Sequence, residues 1–585
     1  MKVCCGKVDE RLIGQRVVLH GWVDSRRDHG GLIFIDLRDR WGKVQVVVNP
    51  AVSASAHEAA QLVRSEYVIG VSGTVSRRPP GSENPSLPTG NVEVIADDLT
   101  VLSRSKPMPF PIEDNVDVDE RIRLEYRYID LRRPRMQKNL ITRHRMNQLI
   151  RQKMDELGFV EIETPMLIKS TPEGARDFLV PSRMHPGCFY ALPQSPQILK
   201  QLLMVAGIGR YYQIARCFRD EDLRSDRQPE FTQLDLEMSF CDVNDVLNVV
   251  EEVICHVFKS ILDYDFPRPF DRIPYKNALE TYGTDKPDRR LGMVIKDYTE
   301  IVKKLQFPPF DKAIASGGAV LGVVAPNGAG LTRKQIESLI GVARSEGASG
   351  LVHIGFSQNA VTSPLEKYLD HAVREQIWEH AAIRDEDLLL LVAAKREVAL
   401  NTLGRLRLEL AKLLDIQPTG HEALFIVDFP LFELDQEDHL TPAHHPFARP
   451  HDEDIPLLDE DPLAVRAFAY DLVVDGYEIG SGNLRIFDSE LQHKIFKILG
   501  LDEHEIEQRF GFMLRAFEYG VPPHGGIALG LDRLAMILCG EETIRDVIAF
   551  PKTQQAQDLM LGAPSPVTDE QLKELSIDIL RHSEE

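Results

Sequence analysis

Three stretches hold residue types and spacings suited to phosphate chemistry. The first runs Phe218-Arg219-Asp220-Glu221 through Gln228-Pro229-Glu230-Phe231-Thr232-Gln233 to Asp235 and Glu237. Apolar strand-like sequence precedes it and alternating sequence follows, so its charged centre is the loop of a long hairpin. Arginine at a strand end offers a planar fork to phosphate or carboxylate. The second is Gly525-Gly526-Ile527-Ala528-Leu529-Gly530-Leu531-Asp532-Arg533. Small residues at 526, 528 and 530 leave one strand face bare, so a flat ligand can lie against the backbone. Arg533 then opens a helix through Leu534, Met536, Ile537 and Leu538. The third is Tyr470-Asp471-Leu472-Val473-Val474-Asp475-Gly476-Tyr477-Glu478. Asp475-Gly476 predicts a two-residue hairpin turn, with Val474 opposite Tyr477, Val473 opposite Glu478 and Asp471 diagonal to Glu478. Both carboxylates then reach one cation, and Mg²⁺ is the natural partner where phosphates bind.

The elements that position these stretches are legible in outline. Residues 16–48 read as three strands, broken by Gly30-Gly31 and Trp41-Gly42, with further strands at 67–75 and 92–101 and a short helix at 56–64. That count fits a small oligonucleotide-binding (OB) type barrel, and a β-sandwich fits the pattern as well. Prolines at 107, 109 and 111 mark a linker. Helical periodicity through Ile141, Met146, Leu149, Ile150 and Met154 ends at Gly158. Residues 285–420 turn acidic and helix-rich, with Gly317-Gly318 and Gly328-Ala329-Gly330, and read as an insertion; strand-rich sequence resumes at Ala423.

A chain of 585 residues is too long for one core. Its net charge of −22 argues against a nucleic-acid binder as a whole but not against a local basic surface, and Arg26, Arg27, Arg38, Arg40 and Lys43 lie in the first fifty residues. The longest apolar runs, such as 388–394, are too short to span a bilayer, and the N-terminus has no apolar signal core. Seven scattered cysteines without a CxxC pair favour neither disulfides nor zinc, so a reduced, cytoplasmic protein with no membrane partner is expected.

The first two stretches resemble motifs 2 and 3 of the class II aminoacyl-tRNA synthetases, with Ala528 replacing a glycine of the general pattern. The helix before Phe159-Val160-Glu161-Ile162-Glu163-Thr164-Pro165 looks like motif 1, the family's dimer-forming element. From residue 10 to about 553 the chain is similar to bacterial-type aspartyl-tRNA synthetases. The resemblance implies an α+β multidomain fold: an N-terminal OB-type β-barrel, an antiparallel sheet flanked by helices, and an inserted α+β domain. The expected divisions are an anticodon-binding barrel at 1–104, a hinge at 105–135, the first half of the catalytic domain at 136–284, an insertion at 285–422, the second catalytic half at 423–552 and a tail at 553–585.

It also implies roles. Arg219 and Arg533 are the expected catalytic residues, on the α-phosphate with the amino-acid carboxylate and on the γ-phosphate. Asp220, Glu221, Gln228, Glu478, Gly530, Leu531 and Asp532 complete the ATP site, with Mg²⁺ on Asp471 and Glu478. Arg485 and its partner Lys200 would hold the side-chain carboxylate of L-aspartate, with Ser195, Gln197, Asp235, His444 and a loop residue, Glu173, around it. In the barrel, Phe34 would stack an anticodon base beside Arg27, Gln45 and Glu93, and a core position for Phe34 is the alternative. His29, in Arg26-Arg27-Asp28-His29-Gly30-Gly31, and Gly81 look like the relaxed branch that charges both tRNA(Asp) and tRNA(Asn); strict tRNA(Asp) specificity is the alternative. Lysine and asparagine enzymes of the same subclass are the rival substrate classes, and a lysine enzyme should offer carboxylates where Lys200 and Arg485 stand. A homodimer is expected.

Overall fold

The computed structural model describes residues 1–171, 175–357 and 360–580. The chain divides into two compact units: Met1–Leu140 with Ala549–Thr553 and Gln557–Pro564, and Ile141–Ile548 with Gln554–Ala556 and Ser565–Glu585.

The first unit is built on a closed barrel of β1 (Arg16–His29), β2 (Leu32–Asp39), β3 (Gly42–Val48), β4 (Val68–Arg77) and β5 (Val92–Ser103), in the order β1-β2-β3-β5-β4. Alternation dictates its layers: Val17, Leu19, Ile33, Ile35, Leu37, Val44, Val46, Ile69 and Val94 are buried in one core. Gly30 and Gly31 both take positive φ, 60° and 83°, between the paired His29 and Leu32, the backbone that a two-residue hairpin turn needs. The helix α1 (Ala54–Leu62) buries Ala56 and Ala60 in the barrel core. The segment after the barrel folds into short helices, Glu120–Glu125 and Arg127–Asp130, pinned by Arg127 and Arg133 on the buried Asp130 and by Arg132 on Glu66 at 2.9 Å.

The second unit holds an eight-stranded sheet. From one edge its strands are Asp271–Pro274, Ala423–Val427, Ala469–Val474, Tyr477–Leu484, His524–Gly530, Glu230–Ser239, Arg210–Phe218 and Val160–Glu161. The six central strands are antiparallel, as expected, but both edge strands pair in parallel with their neighbours. The reason is topological: each edge strand reaches its partner through a long crossover, not a tight turn.

One face of this sheet carries Tyr212, Leu234, Leu236, Met238, Tyr470, Leu472, Val474, Ile527 and Leu529, covered by Val246–Phe258 of one helix and Leu531–Leu538 of another. Within 295–394 lies a separate five-stranded sheet. Its central strand, Leu388–Ala394, is buried on both faces, because Leu388, Leu390 and Val392 join one core and Leu389 and Leu391 another. That explains an unbroken apolar run. Among the described residues no helix is long and apolar enough to cross a membrane.

Candidate active site

The other face of the eight-stranded sheet is polar, by the same alternation. Gln233 lies opposite Gly530, Asp235 opposite Ala528 and Glu237 opposite Gly526. On the far side Ser481 faces Ala528 and Asn483 faces Gly526. Of these, Gln233, Asp235, Ser481, Asn483, Ala528 and Gly530 line a cavity of about 490 Å³. The small residues are required there. A Cβ built at 526 would overlap the Glu237 carboxylate and the Leu236 carbonyl, and one at 482 would strike the Gly526 carbonyl.

Of the residues named from sequence, Arg219, Glu221, Gln228, Glu478, Gly530, Asp532, Arg533, Ser195, Gln197, Asp235, His444, Arg485 and Asp471 line this one cavity. Arg219 has its guanidinium 5.1 Å from the Phe231 ring centre and makes no ion pair among the described residues. Glu221 pairs with Arg227 at 3.1 Å, which orders the loop. Arg533 donates to the Glu478 carbonyl at 2.7 Å and pairs with Asp226 at 3.1 Å.

Four placements differ from the sequence expectation. Lys200 does not line the cavity: it is 1 % exposed, at 3.0 Å from Asp235 and 3.2 Å from Glu237. It stands behind the carboxylates because its helix, Gln197–Val205, packs against the Asp235 strand. Asp532 lines the cavity but spends its carboxylate on Arg143, at 2.5 Å, and on the Thr232 amide, at 2.8 Å. Leu531 is wholly buried in the core, so only its backbone is offered. Asp220 is exposed, and its amide donates to the Arg176 carbonyl at 3.1 Å. Glu173 lies outside the described residues.

The centre of the site is a buried charge set. Arg485, 3 % exposed, meets Glu237 through Nε at 2.8 Å and Nη2 at 3.1 Å, and Asn483 through Nη1 at 2.5 Å. Burial alone would raise the Glu237 carboxyl, but the charges of Arg485 and Lys200 hold it down at about 2. Asp235 goes the other way: burial outweighs Lys200 and raises its carboxyl above its ordinary value. Asp235 Oδ2 and Gln197 Nε2 are buried without a hydrogen-bond partner among the described residues. Both remain open to a ligand. Glu237, which pairs with both Arg485 and Lys200, is the member of this charge set that motif reading passed over, though alternation from Asp235 puts it on the same face.

Asp471 and Glu478 share the cavity, with one change of register. A bulge between Leu472 and Val473 sets Asp471 opposite Ser481, not diagonal to Glu478 in a regular ladder. Burial and the neighbouring Glu478 charge push the Asp471 carboxyl well above its usual range. Its Oδ1 accepts no hydrogen bond among the described residues and has the His444 ring nitrogen 3.7 Å away. A buried carboxyl with an open oxygen beside a second carboxylate is a donor set that a divalent cation fits. Among the described residues no cluster of three or more His, Cys, Asp or Glu forms, so such an ion would keep several waters. His444 bonds Ser481 at 2.9 Å, and burial lowers its pKa to about 4, so the ring is neutral.

On the barrel, Arg27, Phe34, Gln45 and Glu93 share the outer face. Arg27 pairs with Phe34 across β1 and β2, and Gln45 joins Asp36 to Glu93 across β3 and β5. Phe34 is half-buried and absent from the barrel core, so the core alternative fails. Arg27 meets Asp36 at 2.9 Å and Gln45 donates to Glu93 at 2.9 Å. The exposed His29 ring stands 6.3 Å from Phe34, edge to face. Gly81 has φ +85° and open space around a would-be Cβ, so its backbone, not crowding, asks for glycine.

Residues 119–554 match the family described as tRNA synthetases class II (D, K and N). Residues 17–102 match an OB-fold nucleic acid binding domain. The chain is 55% identical, over 98% of both lengths, to an aspartate–tRNA(Asp/Asn) ligase of Caldanaerobacter subterraneus subsp. tengcongensis. It is 52% identical, over 98% of both lengths, to an aspartate–tRNA ligase of Geobacillus kaustophilus. The asparaginyl-tRNA synthetase of Pyrococcus horikoshii, solved with asparaginyl-adenylate, shares the fold at a TM-score of 0.59 and 20% identity, over 94% of this chain and 98% of that one.

Proposed function

Because this chain belongs to the class II tRNA synthetases of the D, K and N group and carries an OB-fold nucleic acid binding domain, we propose that it joins L-aspartate to tRNA through an aspartyl adenylate. Aspartate attacks the α-phosphate of ATP, pyrophosphate leaves, and the 3′-terminal ribose of tRNA takes the aspartyl group. No protein nucleophile is needed, so rate comes from orientation and from charge on phosphates. Arg219, without an ion partner among the described residues, holds the α-phosphate and the amino-acid carboxylate. Glu221 and Gln228 contact ATP, and Arg533 holds the γ-phosphate. Asp471 and Glu478 would hold a Mg²⁺ ion, which when bound would supply charge neutralisation on phosphate oxygens.

The observation that carries the substrate reading is Arg485 lining the same cavity as Arg219. Glu237 and Asn483 fix its guanidinium, so an aspartate side-chain carboxylate meets a preorganised cation. Asp235 Oδ2 and Gln197 Nε2 are free for the ammonium and carboxylate ends. Lys200 acts one layer back, by holding Asp235 and Glu237. The test is ATP–pyrophosphate exchange with each of aspartate, asparagine and lysine. Exchange driven by aspartate is expected; exchange driven by lysine or asparagine instead, or none, overturns the reading.

The residues at 1–104 form the anticodon reader in this proposal, with Phe34 as the stacking platform, and residues 285–422 form an insertion between the catalytic halves. The protein charges both tRNA(Asp) and tRNA(Asn), which differ at the third anticodon base. His29 supports this: it is exposed beside Phe34, and imidazole can donate or accept. The two relatives above carry different names in this respect at similar identity. Charging both transcripts is therefore the measurement that decides, and a preference for tRNA(Asp) above about 100-fold, on the order of 2.7 kcal/mol, overturns dual charging. The enzyme acts in the cytoplasm as a homodimer.

A further inference from the structure

We propose that Lys286, on the segment leading into the inserted domain, is a triphosphate-binding cation that acts as the counterpart of Arg533. The inference rests on the ATP-dependent reading above. Glu478 lies between two cations: Lys286 Nζ is 3.9 Å from Oε2, and Arg533 Nη1 is 4.0 Å from Oε1. Arg533 is also held by the Glu478 carbonyl and by Asp226, whereas Lys286 lies 3.9 Å from both Glu478 and Asp285, beyond a charge-assisted hydrogen bond, which leaves its ammonium able to turn to a phosphate oxygen. Asp285, next to Lys286, lines the cavity itself. The Lys286 charge also reaches Asp471, where it opposes the effect of Glu478.

The segment is a built element and not a loose surface loop. Gly283 ends the helix Tyr275–Tyr282 at φ +67° and packs so closely on Gly404 and the Leu400 carbonyl that neither glycine has room for a Cβ. The buried Arg407 donates to the Tyr282 and Asp288 carbonyls at 3.1 and 3.2 Å. Downstream, Asp288 pairs with Arg290 at 2.8 Å, and Arg290 pairs with Asp475 at 2.8 Å in the turn of the Asp471–Glu478 hairpin. Gly476 in that turn lies against Asp288, whose Cβ would be 2.8 Å from an added methyl. Pro287 is buried and disfavours helical backbone at Lys286. The chain is thus anchored on both sides of Lys286 and delivers its ammonium to the hairpin that carries the carboxylate pair. No such role was legible in the sequence, where Thr284-Asp285-Lys286-Pro287-Asp288 reads as an ordinary polar junction.

The test is aspartate-dependent ATP–pyrophosphate exchange by the full chain, comparing wild type with Lys286→Met and Lys286→Arg. The methionine variant should raise the KM for ATP, and for pyrophosphate in the reverse direction, by about tenfold or more, the weight of one charged hydrogen bond. The KM for aspartate should stay within about twofold. Arginine should restore most of the loss, because it keeps the charge. Unchanged constants for ATP and pyrophosphate in Lys286→Met overturn the inference while leaving the function standing. A rise shared equally by ATP and aspartate overturns it too, since it reports general damage. A wild-type protein without exchange overturns both.

Discussion

The outer face of the barrel and the polar face of the catalytic sheet arise from the same rule and end in opposite physical states. In both, alternate residues of each strand form a polar row while their neighbours fill an apolar core. On the barrel most of the row stays in contact with solvent: the side chains of Arg27 and Asp36 are 49% and 20% exposed, and Glu93 at its end is buried. On the sheet the row is sealed: Arg485 and Glu237 are 3% and 0% exposed, Lys200 and Asp235 both 1%. The difference comes from what lies over the row. The helix Gln197–Val205 and the segment around His444 roof the sheet, and nothing among the described residues of the first unit buries Arg27. A roofed row becomes a preorganised charge well; an open one remains a surface that can adapt to a large polar ligand.

Substitutions should therefore graduate in effect from the sealed row to the open one. Glu237→Gln is expected to cost most, roughly 3–5 kcal/mol of stability, because Arg485 and Lys200 are left buried with an uncompensated charge. The Glu237 carboxyl sits at about 2 in the fold against an ordinary 4.5, so its contribution is full above pH 4.5 and falls away as pH drops toward 2. Denaturant melts of both proteins at pH 7 and pH 4 should show the gap narrowing at the lower pH. An equal gap at both would mean that the charge pairing is not its source.

Arg219→Ala comes next. It removes a cation that lines the cavity and makes no ion pair among the described residues, so folding should be spared and adenylate formation should fall by about 10²–10³ or more. Near-normal exchange kinetics would sink the assignment of the active site.

Phe34→Ala tests the open row. On the anticodon reading it should weaken tRNA charging by about 1–3 kcal/mol, the range for one stacked base, and leave exchange without tRNA untouched. A loss of thermal stability with no change in the KM for tRNA would return Phe34 to a packing role.

The smallest effect is expected for Asp36→Asn, which breaks the exposed Arg27 pair. Stability should change by less than about 1 kcal/mol and the change should vanish at high salt. A loss of several times that size would show the barrel row to be as preorganised as the catalytic one.

What the sequence determined by itself was everything carried by local alternation and turn chemistry. The Asp475-Gly476 turn pairs Val474 with Tyr477 and Val473 with Glu478 as two-residue spacing requires. The small residues at 526 and 528 face the polar row, and the Gly30-Gly31 turn joins β1 to β2. The family strings around Arg219, Arg485 and Arg533 were likewise complete in one dimension. Only the tertiary structure decided which charges are spent inside the protein and which remain for a ligand. Lys200 retreats behind Asp235 and Glu237. Asp532 turns to Arg143, which lies 389 residues away in the chain. A one-residue bulge moves Asp471 opposite Ser481, and the segment leading into the insertion brings Lys286 to Glu478. Strand period and turn type act between near neighbours and can be read from a window of residues. Charge pairing acts at about 3–4 Å between segments that only packing brings together, so no window contains both partners.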